Sequence, residues 1–493
     1  MTVVGAGAGG LAAAIDLATR GAAVTLLERA AIPGGKLRQM RAGGVAIDAG
    51  PTVLTMRWVF DRLFADAGSS VEAHLTLHSA DLLARHAWSA TERLDLFADI
   101  ERSAEAIAGL AGQKEADGYR AFVARTQRVY RTLEGPFIRS PRPTAFSLTA
   151  GQGLRGLTEL WGVSPFATLW KALGEHFRDP RLRQLFGRYA TYSGSSPFQA
   201  PATLMLIAHV EQQGVWLVAG GMVRLAEALT ALAERQGVVV RAGAAVAEIV
   251  VRDGRAGGVV LTTGERVEAD AVVCNADYAA LAAGAFGSAV AGLKPVPKSA
   301  ARSLSAVTWA LSAATEGFPL TRHNVFFCRD YKAEFDDIFR RGQLPAHPTV
   351  YVCAQDRGGP GAPPDGGPER LLVLVNAPPI GDRHIFTSSE IEPCARQTFG
   401  LLERCGLTIH YRPEATAIAT PTDFAALFPA TGGALYGQAV HGSMAAFRRP
   451  GARSTMPGLY LAGGSVHPGP GVPMAVLSGR LAAASLLRDL TSG

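Results

Sequence analysis

Short apolar runs alternate with longer stretches of helical spacing along this chain. Thr2-Val3-Val4 reads as the end of a strand buried on both faces. Leu11 to Arg20 follows as an Ala-rich helix, with Gly21 placed to end it. Val24-Thr25-Leu26-Leu27 reads as a second strand running into Glu28. Much later, Met222, Leu225, Leu229 and Leu232 recur at helical spacing, Gly237 ends that helix, and Val238 to Val240 reads as a strand. Val246 to Val251 and Gly257 to Leu261 add two more, joined by an Asp253-Gly254 hairpin turn, and Ala269 to Asp277 adds another. Residues 304–311, 324–328, 349–353 and 370–376 predict strands of a second sheet that would wall a cavity. Between 101 and 218 the pattern is mostly helical, and Arg357 to Pro368 is a Gly/Pro-rich loop. Near the end, a strand at Gly458-Leu459-Tyr460-Leu461 enters a glycine turn, then a helix with Pro473 in its first turn.

A length of 493 residues predicts two or three domains. With 48% apolar and 18% charged residues the chain is globular rather than disordered. The longest apolar candidate for a membrane span, Leu204 to Val210, is too short and contains His209. No secretory signal pattern opens the chain. The five cysteines (Cys274, Cys328, Cys353, Cys394, Cys405) form no C-x-x-C pair, which argues for reduced thiols rather than a metal cage or disulfide framework. A net charge of +6 is too mild to imply nucleic acid, and fits contact with an anionic membrane surface at least as well.

Chemistry enters with the glycines at 5, 7 and 10, which match G-x-G-x-x-G between the first strand and the first helix. They serve a tight turn, close approach of backbone to a pyrophosphate, and close helix–strand packing. The helix that follows presents unpaired N–H groups and the positive end of its dipole to the phosphates. Glu28 lies 18 residues after Gly10, where a carboxylate can accept both ribose hydroxyls. The chain carries its own control, since Gly151-Gln152-Gly153-Leu154-Arg155-Gly156 fits the same pattern without a preceding strand and reads as a loop entering a helix. No second dinucleotide fingerprint for NAD is convincing.

Arg29 follows Glu28, and Gly34-Gly35-Lys36 stands at the spacing of the E-x(5)-G-G-[RK] extension of two-dinucleotide-binding flavoproteins. Asp48-Ala49-Gly50-Pro51-Thr52 comes next, and the C-terminal run Gly463-Gly464-Ser465-Val466-His467-Pro468-Gly469-Pro470-Gly471-Val472-Pro473-Met474 resembles a flavin-binding half-site. With these motifs the chain resembles the phytoene-desaturase-type carotenoid desaturases, relatives of the amine oxidases, over essentially its whole length. Three stretches, at 50–61, 441–451 and the C-terminal run, resemble the branch of hydroxycarotenoid 3,4-desaturases. The resemblance implies FAD held without a covalent link, by Gly5, Gly7, Ala8, Gly10, Glu28, Arg29, Gly35, Lys36, Pro51, Thr52, Val246, Gly463, Gly464, Val472, Pro473 and Met474.

The expected fold class is α/β: a Rossmann-like FAD-binding domain of amine-oxidase or glutathione-reductase type, a mixed-sheet substrate domain and a helical lid. The expected division is 1–60, 219–285 and 445–493 for FAD, 61–100 and 286–444 for substrate, and 101–218 for the lid. The lid interleaves Arg120, Arg125, Arg128, Arg131, Arg139 and Arg142 with Tyr119, Phe122, Tyr130, Phe137 and Phe146. That pattern reads either as a solvated face over an aromatic core or as a basic amphipathic surface resting on anionic lipid. The second reading places the protein in the cytoplasm, peripherally on the inner face of a bacterial membrane.

The implied activity is introduction of the 3,4 double bond into 1-hydroxy- or 1-methoxy-carotenoids, with hydride passing to flavin and electrons leaving to oxygen or a quinone. Rival readings are a phytoene desaturase, a redox-neutral carotenoid isomerase, and a flavin-free binding protein on the same fold. No nucleophile triad, metal cluster or paired carboxylates are evident, so no catalytic base is named. His467 reads as a structural turn residue in preference to a base. The family's first strand is usually longer than Thr2-Val3-Val4, so either the natural start lies upstream or this strand is short.

Overall fold

The computed structural model describes residues 1–141, 167–291, 293, 301–359 and 367–491. The second glycine pattern at 151–156, Arg142, Phe146 and residues 360–366 of the Gly/Pro-rich loop lie outside the described residues. A five-stranded parallel sheet has the order Leu459–Leu461, Val272–Cys274, Thr2–Val4, Thr25–Leu27, Val239–Arg241. Thr2–Val4 is its central strand, paired with Thr25–Leu27 on one side and Val272–Cys274 on the other. Side chains alternate across it as strand geometry requires. Val3, Val273 and Tyr460 face a helical layer, while Val4, Val272 and Leu461 face an antiparallel meander.

The helical layer is made of Ala8–Thr19, Val223–Arg235, Val472–Thr491 and Trp58–Asp66, packed through one core. Ala8–Thr19 stops where the sequence predicts, with Gly21 at φ +84° and its N–H donating to the Ala18 carbonyl. The meander is Val246–Arg252, Arg255–Leu261 and Arg266–Glu268, and its first turn places Asp253 and Gly254 at φ +50° and +72°. That two-residue connection with both φ positive matches the right-handed twist of the strands.

The second sheet has eight strands. Ser305–Glu316, Glu369–Ala377, Val350–Ala354 and His323–Phe326 form its antiparallel centre, and Leu82–Ala87 extends it parallel to His323–Phe326. One face buries Trp309, Val373 and Val375 against the helix Ser388–Arg404. The alternate residues, including Leu372, Leu374 and Asn376, line a cavity between the two sheets.

Helices Gln113–Leu133, Pro180–Gly187 and Leu206–Gln212 close over that cavity, with Ile100–Ala111 and Leu169–Leu173 packed against them. Asp99 and Asp179 cap two of them, each accepting a backbone N–H at 2.8 Å. The helical pattern ends before 218, because Trp216–Val218 pairs as a strand with Leu77–Ser79. Gly214, at φ +138°, breaks the helix there, and three apolar residues in a row find a partner strand. Tyr119, Phe122 and Tyr130 of the basic–aromatic segment are buried in core. Arg120 pairs with Glu101, Arg125 with Glu175 and Arg139 with Glu134. No helix among the described residues is long and apolar enough to cross a membrane. All five cysteines are buried free thiols.

Candidate functional site

The carboxyl ends of the parallel strands open into one cavity of about 1390 Å³, the position at which open α/β sheets bind ligands. Two glycine turns meet there. The first joins Thr2–Val4 to its helix, and close packing dictates its glycines. A Cβ on Gly10 would fall on the Gly5 carbonyl oxygen, and one on Gly9 would lie 2.6 Å from Asn275 Oδ1. The second turn, at 463–471, leads into Val472–Thr491, and a Cβ on Gly463 would lie 2.8 Å from the same Asn275 oxygen. Asn275 Nδ2 donates to the Gly5 carbonyl at 3.1 Å, so one side chain is bonded to the first turn and packed against the second. The first turns of both helices, Ala8-Gly9 and Val472 to Ala475, line the cavity. Two sets of free N–H groups and two positive dipole ends therefore converge on it.

Of the residues expected from sequence, Gly5, Gly7, Ala8, Glu28, Arg29, Gly35, Lys36, Pro51, Thr52, Val246, Gly463, Gly464, Val472, Pro473 and Met474 line this cavity. Gly10 does not, since its place is beneath the turn against Gly5. The Glu28 carboxylate is buried and accepts the N–H of Ala6 at 2.7 Å and of Ala30 at 2.9 Å. Each oxygen retains a lone pair for a further donor such as a sugar hydroxyl. Arg29 is exposed, and its guanidinium donates to the Ala426 and Leu427 carbonyls at the end of the helix Pro421–Leu427. The Gly34 N–H donates to the Ala6 carbonyl at 2.9 Å, and a Cβ on Gly35 would lie 3.1 Å from the Gly7 Cα. The paired glycines thus let the second loop rest on the first turn. Lys36 Nζ donates to the Leu435 carbonyl at 2.6 Å and stands 4.9 Å over the Phe428 ring. Burial pulls its ammonium pKa down, with Asp277 opposing.

Arg449, which the sequence reading placed only inside a resembling stretch, is a buried cation of this site. Its guanidinium donates to the carbonyls of Tyr436, Gln438 and Gly464, and burial lowers its pKa to about 10. His467 does not line the cavity. Its Nε2 donates to the Phe137 carbonyl at 2.9 Å, its ring meets Phe137 edge-on, and burial lowers its pKa to about 4. It packs against Phe137 outside the cavity wall. Asn275 and Arg449 were illegible as site residues, the first because it looked like the end of a strand. Its only signal was its place just past a strand of the nucleotide sheet.

Beyond the glycine turns the cavity continues between the second sheet and the helices, lined by apolar side chains such as Leu133, Leu185, Ile207, Val325, Leu372 and Phe447. It exceeds the usual range of about 300–1,000 Å³ for one small ligand, which leaves room for a dinucleotide and a second, apolar molecule.

The family model for flavin containing amine oxidoreductases matches residues 8–487. The chain belongs to that family. Hydroxyneurosporene desaturase of Rubrivivax gelatinosus is 56% identical over 493 residues, covering 100% of this chain and 94% of that protein. Hydroxyneurosporene desaturase of Cereibacter sphaeroides is 46% identical over 492 residues, covering 100% and 98%. Among solved structures, an oxidoreductase from Methanosarcina mazei superposes with a TM-score of 0.62 at 16% identity, covering 99% of each chain. The fold is that of the FAD-dependent oxidoreductases, FAD is the cofactor, and the protein is an oxidoreductase. The residues present fit that cofactor, because two glycine cradles that side chains would fill converge on one cavity with two helix N-termini.

Proposed function

We propose that this protein is a carotenoid desaturase that introduces the 3,4 double bond into 1-hydroxy- or 1-methoxy-carotenoids. The observation that carries the reading is the single cavity that joins the two glycine turns to a long apolar chamber. Gly5, Gly7 and Ala8 would hold the pyrophosphate through backbone N–H groups, with Gly10 shaping that turn from beneath, and Glu28 the adenosine ribose. Arg29, Lys36, Pro51, Thr52 and Val246 would complete the cofactor's walls. Gly463, Gly464, Val472, Pro473 and Met474 would face the flavin ring, where a helix N-terminus favours negative charge. Bound FAD supplies a two-electron acceptor for hydride.

The chain's own part is to align the substrate and keep water out. One carbon of the saturated bond gives up hydride and its neighbour gives up a proton, so the product is two hydrogens lighter. The neighbouring polyene spreads the positive charge that develops, so no strong electrostatic partner is needed from the protein. The apolar wall from Leu133 to Phe447 holds such a chain straight and dry.

The deciding experiment offers the FAD-loaded protein phytoene, neurosporene and hydroxyneurosporene and weighs the products. The expected result is a hydroxyneurosporene product two hydrogens lighter. Conversion of phytoene alone would make it a phytoene desaturase, and an unchanged mass would make it an isomerase.

We also propose that it works peripherally on the cytoplasmic face of a membrane, because its substrate dissolves in lipid and the chain carries a net charge of +6. Flotation with anionic liposomes at low salt tests this, and protein left in the soluble fraction would rule it out.

A further inference from the structure

The apolar chamber has one polar stretch of wall that hydride transfer does not require. Arg188 opens the turn Arg188–Ser193 and lines the cavity. Its guanidinium lies 5.2 Å from the centre of the Tyr351 ring and 5.8 Å from that of Tyr192. Among the described residues no carboxylate stands within ion-pair distance of it, and the carboxylate of Glu211 is engaged by the Tyr189 hydroxyl at 2.6 Å. A guanidinium carries five donors; the Tyr192 hydroxyl accepts from it and the Glu211 charge favours it from beyond ion-pair distance, which leaves donors over for a ligand in the cavity that Arg188 lines. In an apolar cavity such donors are costly unless a ligand accepts from them.

The cluster is tied to the cofactor end of the cavity. Tyr351 Oη shares hydrogen bonds with Thr52 Oγ1 at 2.8 Å and His323 Nδ1 at 2.7 Å. Thr52 belongs to the 50–52 turn assigned above to the cofactor wall. We infer that Arg188, Tyr192 and Tyr351 form the subsite for the oxygen function on the substrate's end group, with Arg188 donating to that oxygen. Both a hydroxyl and a methyl ether can accept such a bond, so both classes of end group fit. In a 1-oxygenated carotenoid a single CH₂ separates the oxygen-bearing carbon from the C3–C4 bond. Arg188 stands beside Tyr351, whose hydroxyl bonds Thr52 of the cofactor wall, so an oxygen held there keeps the C3–C4 end of the chain, rather than its middle, at the cofactor end of the cavity. The subsite selects both the substrate and the bond.

This inference rests on the carotenoid reading, and the test separates the two. Binding of hydroxyneurosporene and of neurosporene to the FAD-loaded protein is read by quenching of flavin fluorescence, independently of turnover. The wild type is expected to favour hydroxyneurosporene by about tenfold or more, as one hydrogen bond from a charged donor predicts. In Arg188→Met that ratio falls towards one, and Arg188→Lys restores part of it. Tyr351→Phe and Tyr192→Phe, which keep their rings, lower the ratio without abolishing FAD binding. A wild type without preference, or an Arg188→Met protein that keeps it, overturns the subsite. Should Arg188→Met fail to load FAD, an unchanged ratio in Arg188→Lys and Tyr351→Phe overturns it equally. Failure to bind either polyene would instead strike the carotenoid reading itself.

Discussion

Two glycines in two helices separate local propensity from tertiary packing. Gly479 lies in Val472–Thr491, where a Cβ would fall on the Gly9 carbonyl oxygen and 3.0 Å from the Ala13 nitrogen. Gly400 lies in Ser388–Arg404, where the nearest atom to a Cβ is the flexible Arg404 guanidinium at 3.5 Å. Replacing a helical glycine by alanine gains about 1 kcal/mol, so Gly400→Ala should stabilise the protein by about that amount. At Gly479 the same gain meets overpacking of about 1–3 kcal/mol, at the upper end because both neighbours are backbone. Gly479→Ala should therefore destabilise by about 1–2 kcal/mol. Because Gly9 lies in the first turn of the helix after the first glycine turn, the strain reaches the cofactor cradle. A loss of about 1.4 kcal/mol there weakens FAD binding about tenfold. Urea unfolding followed by released flavin fluorescence, together with FAD titration of the apoprotein, measures both effects. If Gly479→Ala behaves like Gly400→Ala in both assays, the proposed close contact between the first and last helices is wrong.

Glu28→Gln leaves one oxygen where two now accept the Ala6 and Ala30 N–H groups, and loses the charge. A loss of about 1.5–3 kcal/mol should raise the FAD Kd at least tenfold in equilibrium dialysis, and an unaltered Kd would remove Glu28 from the site. Arg449→Met removes a buried cation bonded to the Gly464 carbonyl of the second turn. The flavin midpoint potential, read by dye-equilibrated titration, should fall by about 30 mV or more, equivalent to about 1.4 kcal/mol in a two-electron couple; no shift would place the charge too far away to matter. Burial lowers the pKa of His86 to about 3 and of His467 to about 4, so both are neutral when folded. Unfolded histidine takes up a proton below about pH 6.5. Stability should hold above that pH and drain away as pH falls from about 6.5 towards 4. The slope of urea midpoint against pH should flatten in His467→Gln, and an identical slope would contradict the assignment.

The nucleotide-type turn and its place on the cavity wall were legible because their signals are local. Gly5 is fixed by its positive φ, Gly10 and Gly35 by close approach to Gly5 and Gly7, and Glu28 by the Ala6 and Ala30 N–H groups, all within a few dozen residues, and those constraints show in residue type and spacing. Strand positions were legible for the same reason, as alternation along Glu369–Ala377 sends Val373 and Val375 to the helix side and Leu372 and Leu374 to the cavity. Asn275, Arg449, Arg188 and Tyr351 were not legible. A polar residue at the end of a strand or in a helical turn is ordinary until distant segments are brought beside it.

The opening glycine turn, the acid after the second strand and the glycine turn near the C-terminus were enough to establish the nucleotide fold and, with their resemblance, the cofactor. Those features survive as pattern because each satisfies a backbone constraint with a residue type nothing else replaces. What only the tertiary structure decided is that the two turns share Asn275, that Gly479 lets the first and last helices touch, and that Arg188 stands between two tyrosine rings on an apolar wall. Each of these joins residues far apart in the chain, and their energies depend on distances of a few ångströms that no local pattern encodes.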